Sequence, residues 1–164
     1  MKKTLCMLLA LALCLFGAAV AETSIANPWV DATEGDIAEA IGAAFGIPEG
    51  VEDAEYSLMP DEGLAEMRFT LEDMEYVARI QPAEAFIDIS GLFYEWEAEG
   101  SFPLADLEGL ERRTSDGEDT IVSALWFDEP MGLMYSLFTS SADLDDFDIT
   151  PVAAAIYAQA EEAE

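Results

Sequence analysis

Carboxylates are the side chains this sequence offers most freely for chemistry. Asp and Glu account for 35 of its 164 residues, and histidine is absent. The densest run is Asp143-Leu144-Asp145-Asp146-Phe147-Asp148. Oxygen-only ligands suit a hard cation, so Asp143, Asp145, Asp146 and Asp148 are candidate calcium ligands. An EF-hand loop beginning at Asp143 needs glycine at its sixth position and glutamate at its twelfth, but Asp148 and Ala154 stand there. The simpler reading is that these acids precede a helix and favour its positive N-terminal end, by roughly 0.3–1 kcal/mol each. Asp116, Glu118 and Asp119 form a second, sparser cluster. Two carboxylates at the right separation suffice for glycoside hydrolysis. Among 35 acids, however, such a pair arises by chance, and spacing along the chain carries no information.

Other chemistries are excluded more firmly. Both cysteines (Cys6, Cys14) and both lysines (Lys2, Lys3) fall in the first 21 residues. The rest of the chain therefore lacks the groups for Ser-His-Asp, Cys-His and Ser-Lys catalysis, for Schiff bases, and for His/Cys zinc sites. Neither GxxxxGK[ST] nor GxGxxG occurs, so no phosphate-cradling loop and no nucleotide cofactor is expected. Two features point to binding instead. Arg112-Arg113 is the one adjacent basic pair beyond residue 21, readable as an anion anchor or as charge relief beside Glu108 and Glu111. Phe93 sits among glutamates, where it is either covered by a helix or exposed as a surface contact.

The opening residues have the pattern of an export signal. Lys2 and Lys3 precede an apolar run from Leu5 to Phe16, and Ala19-Val20-Ala21 gives a small-x-small cleavage pattern. Residues 1–21 are therefore read as a signal peptide, and membrane attachment is expected only if this segment is retained as an anchor. Taking 21 from 164 leaves 143 residues, enough for a single domain, 22–164. That domain has four arginines against 35 acids, a net charge of −31. Such a surface opposes nucleic acid and anionic membrane, since phosphate binding requires clustered Lys or Arg.

The periodicities assign the elements. Thr33 and Asp36 form a capping-box pattern, followed by Ile37, Ile41 and Phe45 at helical spacing, with Gly46 ending the helix. A strand is expected from Ala54 to Met59, then a turn over 60–63. In LAEMRFTLEDMEYVARI a tight turn on Glu72-Asp73 pairs Leu71 with Met74, Phe69 with Tyr76, Met67 with Ala78 and Glu66 with Arg79. It also sets Arg68 diagonal to Glu75. Apolar and charged pairing thus agree on one register. Leu92, Tyr94, Trp96 and Ala98 alternate with Phe93, Glu95, Glu97 and Glu99, predicting a strand with Tyr94 and Trp96 on its core face. A linking segment with Pro103, Leu104 and Leu107 leads to a strand near 108–114. A second hairpin spans 120–128 and 133–140 around Glu129-Pro130-Met131-Gly132. Its strands are apolar on both faces, as in central strands covered on both sides or lying at an interface. Thr150 as N-cap and Pro151 open a closing helix with Val152, Ile156, Tyr157 and Ala160 inward. The expected fold is α+β: an N-terminal helix, a curved antiparallel meander of about six or seven strands, and a C-terminal helix.

Asn27-Pro28-Trp29, Ile47-Pro48-Glu49-Gly50, Asp88-Ile89-Ser90-Gly91 with Tyr94 behind it, and Gly132-Leu133-Met134-Tyr135-Ser136 occur in that order. With the leader they make the chain resemble small uncharacterised secreted proteins of Gram-positive bacteria. The resemblance implies one exported domain and transfers no activity or site residue. The sequence thus leads to the expectation of a non-enzymatic secreted or cell-envelope binding module for a protein, peptide or small ligand. A calcium-dependent structural module and a carboxylate-only hydrolase are the alternatives.

Overall fold

The computed structural model describes residues 27–51 and 53–157. The signal peptide read in residues 1–21 and the Ala160 end of the closing helix lie outside them. Among the described residues two short helices, α1 (Glu34–Ile41) and α2 (Thr150–Tyr157), accompany eight strands. These are β1 (Val30–Ala32), β2 (Ala54–Met59), β3 (Leu64–Leu71), β4 (Met74–Pro82), β5 (Ala98–Leu104), β6 (Leu107–Ser115), β7 (Thr120–Asp128) and β8 (Leu133–Ser141). All pair antiparallel in one sheet of order β1-β2-β3-β4-β8-β7-β6-β5.

A helix lies near each end of the described residues as expected, but β1 precedes the first, and the α+β expectation of six or seven meandering strands needs correction. The fold is mostly β, with eight strands. The entry segment pairs as β1, with Val30 opposite Leu58. The sheet is also not a single meander: β1–β4 and β5–β8 each run in order, and their last strands meet at the centre. No described helix is long and apolar enough to cross a membrane.

Local signals behave as their chemistry requires. The Thr33 hydroxyl accepts the Asp36 amide at 3.2 Å, and the Asp36 carboxylate accepts the Thr33 amide at 2.8 Å, closing the capping box. The Thr33 hydroxyl, donating to the Asp36 carboxylate at 2.6 Å, and then the Thr33 amide hold that carboxyl below its ordinary pKa. The helix ends one turn earlier than its apolar stripe suggests, at Gly42 in the left-handed conformation. Phe45 is buried on a segment without regular secondary structure rather than on the helix. Gly46 serves a different contact: its amide donates to the Ile156 carbonyl of α2 at 2.7 Å. The β3–β4 register agrees with every expected pair, Leu71 with Met74 through Glu66 with Arg79. Glu72 and Asp73 both take positive φ (53° and 64°), the conformation a two-residue hairpin turn demands. At α2 the Ala153 amide bonds the Ile149 carbonyl, so Ile149 rather than Thr150 occupies the cap position.

The main core fills one face of the sheet. Val122, Ala124 and Trp126 of β7 pack with Leu133, Tyr135 and Leu137 of β8 beneath Ile37 and Ile41 of α1 and Val152, Ala153 and Ile156 of α2. The Trp126 and Tyr135 rings stack at 5.1 Å, and Phe102 and Tyr157 meet them edge-on. Burial pushes the Tyr135 phenol above its ordinary pKa. The Tyr157 hydroxyl donates to the buried Asp128 carboxylate at 2.8 Å, fixing α2 to the end of β7.

The opposite face explains why β7 and β8 are apolar on both sides. Leu125 and Met134 point away from the main core and join Leu64 and Ile89 in a second cluster, with Trp29, Met59, Ala83 and Phe127 against it. Ile89 belongs to the connection between β4 and β5. Those strands are separated by β8, β7 and β6, so residues 83–97 must cross the sheet, and they cross on this second face.

Candidate functional site

The crossing segment 83–97 has no regular secondary structure, yet hydrogen bonds tie its backbone at both ends and at a turn in its middle. Its start is held by the Ala83 amide on the Gly132 carbonyl (2.8 Å). Its end is held by the Glu97 amide on the Arg113 carbonyl (3.0 Å) and the Thr114 hydroxyl on the Glu95 carbonyl (3.0 Å). Between these, Asp88-Ile89-Ser90-Gly91 forms a compact turn: the Asp88 carboxylate accepts the Ser90 amide (2.9 Å) and hydroxyl (2.6 Å), and the Ser90 hydroxyl accepts the Leu92 amide (3.2 Å).

Two arginines of the sheet bolt this turn down. Arg79 of β4 donates to the Ser90 carbonyl (2.6 Å) and the Ile89 carbonyl (3.2 Å), and pairs with Glu66 at 2.7 Å. Glu66 is almost wholly buried and also takes Arg68 Nε at 2.7 Å. Arg68 therefore turns to Glu66 on its own strand rather than to the diagonal Glu75. Gly91 takes φ 70°, a conformation side-chain-bearing residues rarely adopt, and a Cβ there would also push aside the Arg79 guanidinium, whose Nη1 would lie 2.3 Å away. On β6, Arg112 pairs with Asp88 at 2.8 Å and with Glu99 at 2.9 Å. Trp29 lies over the Arg79 guanidinium (5.5 Å) and Trp96 over that of Arg112 (5.8 Å).

A segment held this firmly still leaves large apolar side chains in water. Phe93 is 98% exposed, and Phe86, Ile87 and Tyr94 are exposed by 42–45%. The expectation that Tyr94 and Trp96 line a core face is overturned. Residues 92–96 form no strand, Tyr94 faces solvent, and the half-buried Trp96 packs edge-on to it at 5.9 Å and against Arg112. The alternation of aromatics and glutamates is genuine, but here it belongs to an irregular chain whose inward contacts are with arginine. The strand begins only at Ala98 and includes the expected linker, since β5 is an edge strand where Pro103 needs no ladder donor. Of the two readings for Phe93, exposure holds. Beside this loop, Phe86, Leu110, Glu99, Ser101 and Glu108 line a hollow of about 450 Å³ over β5 and β6.

The other sequence candidates occupy separate places. Arg112 and Arg113 project to opposite faces of β6. Arg113 pairs with Glu111 (2.8 Å) and donates to the Leu144 carbonyl (2.8 Å) and to the Phe147 carbonyl, shaping the loop before α2. Both guanidiniums are thus engaged within the protein. Asp143, Asp145, Asp146 and Asp148 are exposed and alternate with the buried or half-buried Leu144, Phe147 and Ile149. Bonds from the Thr150 side chain and amide hold the Asp148 carboxyl below its ordinary pKa, as suits an acid leading into a helix. Asp116 accepts the Asp119 (3.0 Å) and Glu118 (3.1 Å) amides, which lower its pKa likewise. Among the described residues no three acids gather as a metal site.

The sequence reading missed Phe86, Ile87 and Tyr94 as surface groups. A usable signal was present: strands apolar on both faces need a second cover, and the connection after β4 is the segment that supplies it. The chain matches no family model, no curated protein and no solved structure.

Proposed function

We propose that this protein is a secreted or cell-envelope binding module without enzymatic activity, and that the crossing loop 83–97 is its contact surface. The observation that carries this reading is the combination at one loop of a backbone hydrogen-bonded at both ends and its middle turn and four exposed large apolar side chains, Phe86, Ile87, Phe93 and Tyr94. Large apolar side chains left in water on one loop mark a surface suited to association. A loop ordered before contact loses little further entropy on binding. Long irregular connections in a compact domain are commonly functional for the same reason. Export rests on the leader pattern of residues 1–21, and the absence of histidine, with cysteine and lysine confined to that leader, weighs against most catalysis.

The test is affinity capture from the producing organism's culture fluid and envelope fraction, using wild type and Phe93→Ser/Tyr94→Ser in parallel. Both side chains are exposed, so the double variant is expected to melt within about 2 °C of wild type. It should lose the partner that wild type retains. Equal retention by both proteins, or no partner for either, contradicts the reading.

A further inference from the structure

We infer that the partner of this loop is a cationic polypeptide segment alternating Lys or Arg with apolar side chains, and that one basic side chain lies in the hollow between Phe86 and strands β5 and β6. The inference rests on the binding reading and adds the chemistry of the occupant. Five of the 35 acids fall outside the described residues, leaving 30 against four arginines. All four arginines are already in ion pairs with acids of the same chain. The surface presented to a partner is therefore almost purely anionic. Within the loop itself, Glu84, Glu95 and Glu97 are exposed beside the apolar residues. A second copy of this chain or an anionic membrane would meet repulsion at this rim, whereas a basic segment meets complementary charge.

The hollow gives that charge a place. Phe86 forms a wall and half-buried Leu110 contributes apolar surface, while Glu99, Glu108 and Ser101 supply the polar groups. Glu99 is committed to Arg112, but Glu108 is exposed and joins none of the ion pairs among the described residues. A Lys or Arg side chain suits both halves: its aliphatic stem lies on Phe86 and Leu110, and its charged head reaches Glu108. Neighbouring apolar side chains of the same segment then meet Phe93 and Tyr94.

The experiment titrates full-length mature protein with three synthetic peptides of one length, following tryptophan fluorescence at about 150 mM salt. Alternating Lys/Leu is expected to bind at least about tenfold more tightly than alternating Lys/Ser, and Glu/Leu not at all. Phe86→Ala should weaken Lys/Leu about tenfold and Glu108→Gln about threefold. Asp61→Asn, an exposed acid in the β2–β3 turn, should leave it unchanged. Equal affinity for Lys/Leu and Lys/Ser, no effect of Phe86→Ala, or equal losses from Asp61→Asn and Glu108→Gln would overturn the inference. If no peptide binds while partner capture still depends on Phe93 and Tyr94, the inference fails and the binding reading stands.

Discussion

Arg79→Ala is expected to destabilise the protein by about 3–5 kcal/mol and to release the crossing loop from the sheet. The reason lies in what the substitution leaves behind. The Glu66 side chain is only 3% exposed and is shared between Arg79 and Arg68, whose own side chain is 60% exposed. Without Arg79, a buried carboxylate keeps one solvent-loosened partner, and removing half of a buried pair carries about this cost. The Ile89 and Ser90 carbonyls also lose their donor, and Trp29 loses the guanidinium it covers. Much of the loss comes from the stranded charge rather than from the pair itself. Glu66→Met/Arg79→Met should therefore recover a large part of it. Urea denaturation of the two single variants and the double variant measures this. A double variant as unstable as Arg79→Ala would show that Arg79's bonds to the loop dominate.

Gly46→Ala is expected to cost about 3 kcal/mol, the upper range for forcing atoms into a packed site. A Cβ at Gly46 would stand 1.9 Å from the Ala155 carbonyl oxygen and 2.8 Å from that of Ile156, both backbone atoms of α2. A flexible side chain could swing aside, but these atoms cannot move without lifting the helix. The close approach also lets the Gly46 amide donate to the Ile156 carbonyl. Displacing α2 would unpack Val152, Ala153 and Ile156 from the main core. Gly100→Ala is the control: nothing stands within 4 Å of its Cβ position, and its stability should change by no more than about 0.5 kcal/mol. Comparable urea midpoints for the two variants would refute the close-approach argument.

Gly46 also marks the boundary of what the sequence could show. A glycine after an apolar helical stripe looks like a helix end, and the contact that requires it comes from the far end of the chain. Elements decided by neighbours in sequence were legible. The Thr33–Asp36 capping box and the Leu71–Met74 to Glu66–Arg79 register follow from residues a few positions apart, and the structure agrees with both. Elements decided by topology were not. The residues around Pro103 read as a linking segment because the edge position of β5, which tolerates a proline, depends on where the chain goes after β4. Tyr94 and Trp96 mimic a strand because alternation records only which side chains share a side. It cannot show that Arg112 rather than an apolar core meets Trp96. The doubly apolar β7 and β8 announced a cover without saying what it was. Phe93 was the one member of the apolar display that its surroundings betrayed, an aromatic ring among glutamates.

The central claim is that residues 83–97 form a fixed platform, and residue-level amide hydrogen exchange addresses it most directly. The account predicts that the Ala83, Ser90, Leu92 and Glu97 amides, each hydrogen-bonded in the structure, exchange at least about 100-fold more slowly than in an unstructured chain, while the side chains of Phe86 and Phe93 remain open to solvent. Exchange of all four amides at unstructured rates would contradict it, since a loop moving freely over the sheet could not hold its apolar side chains ready for a partner.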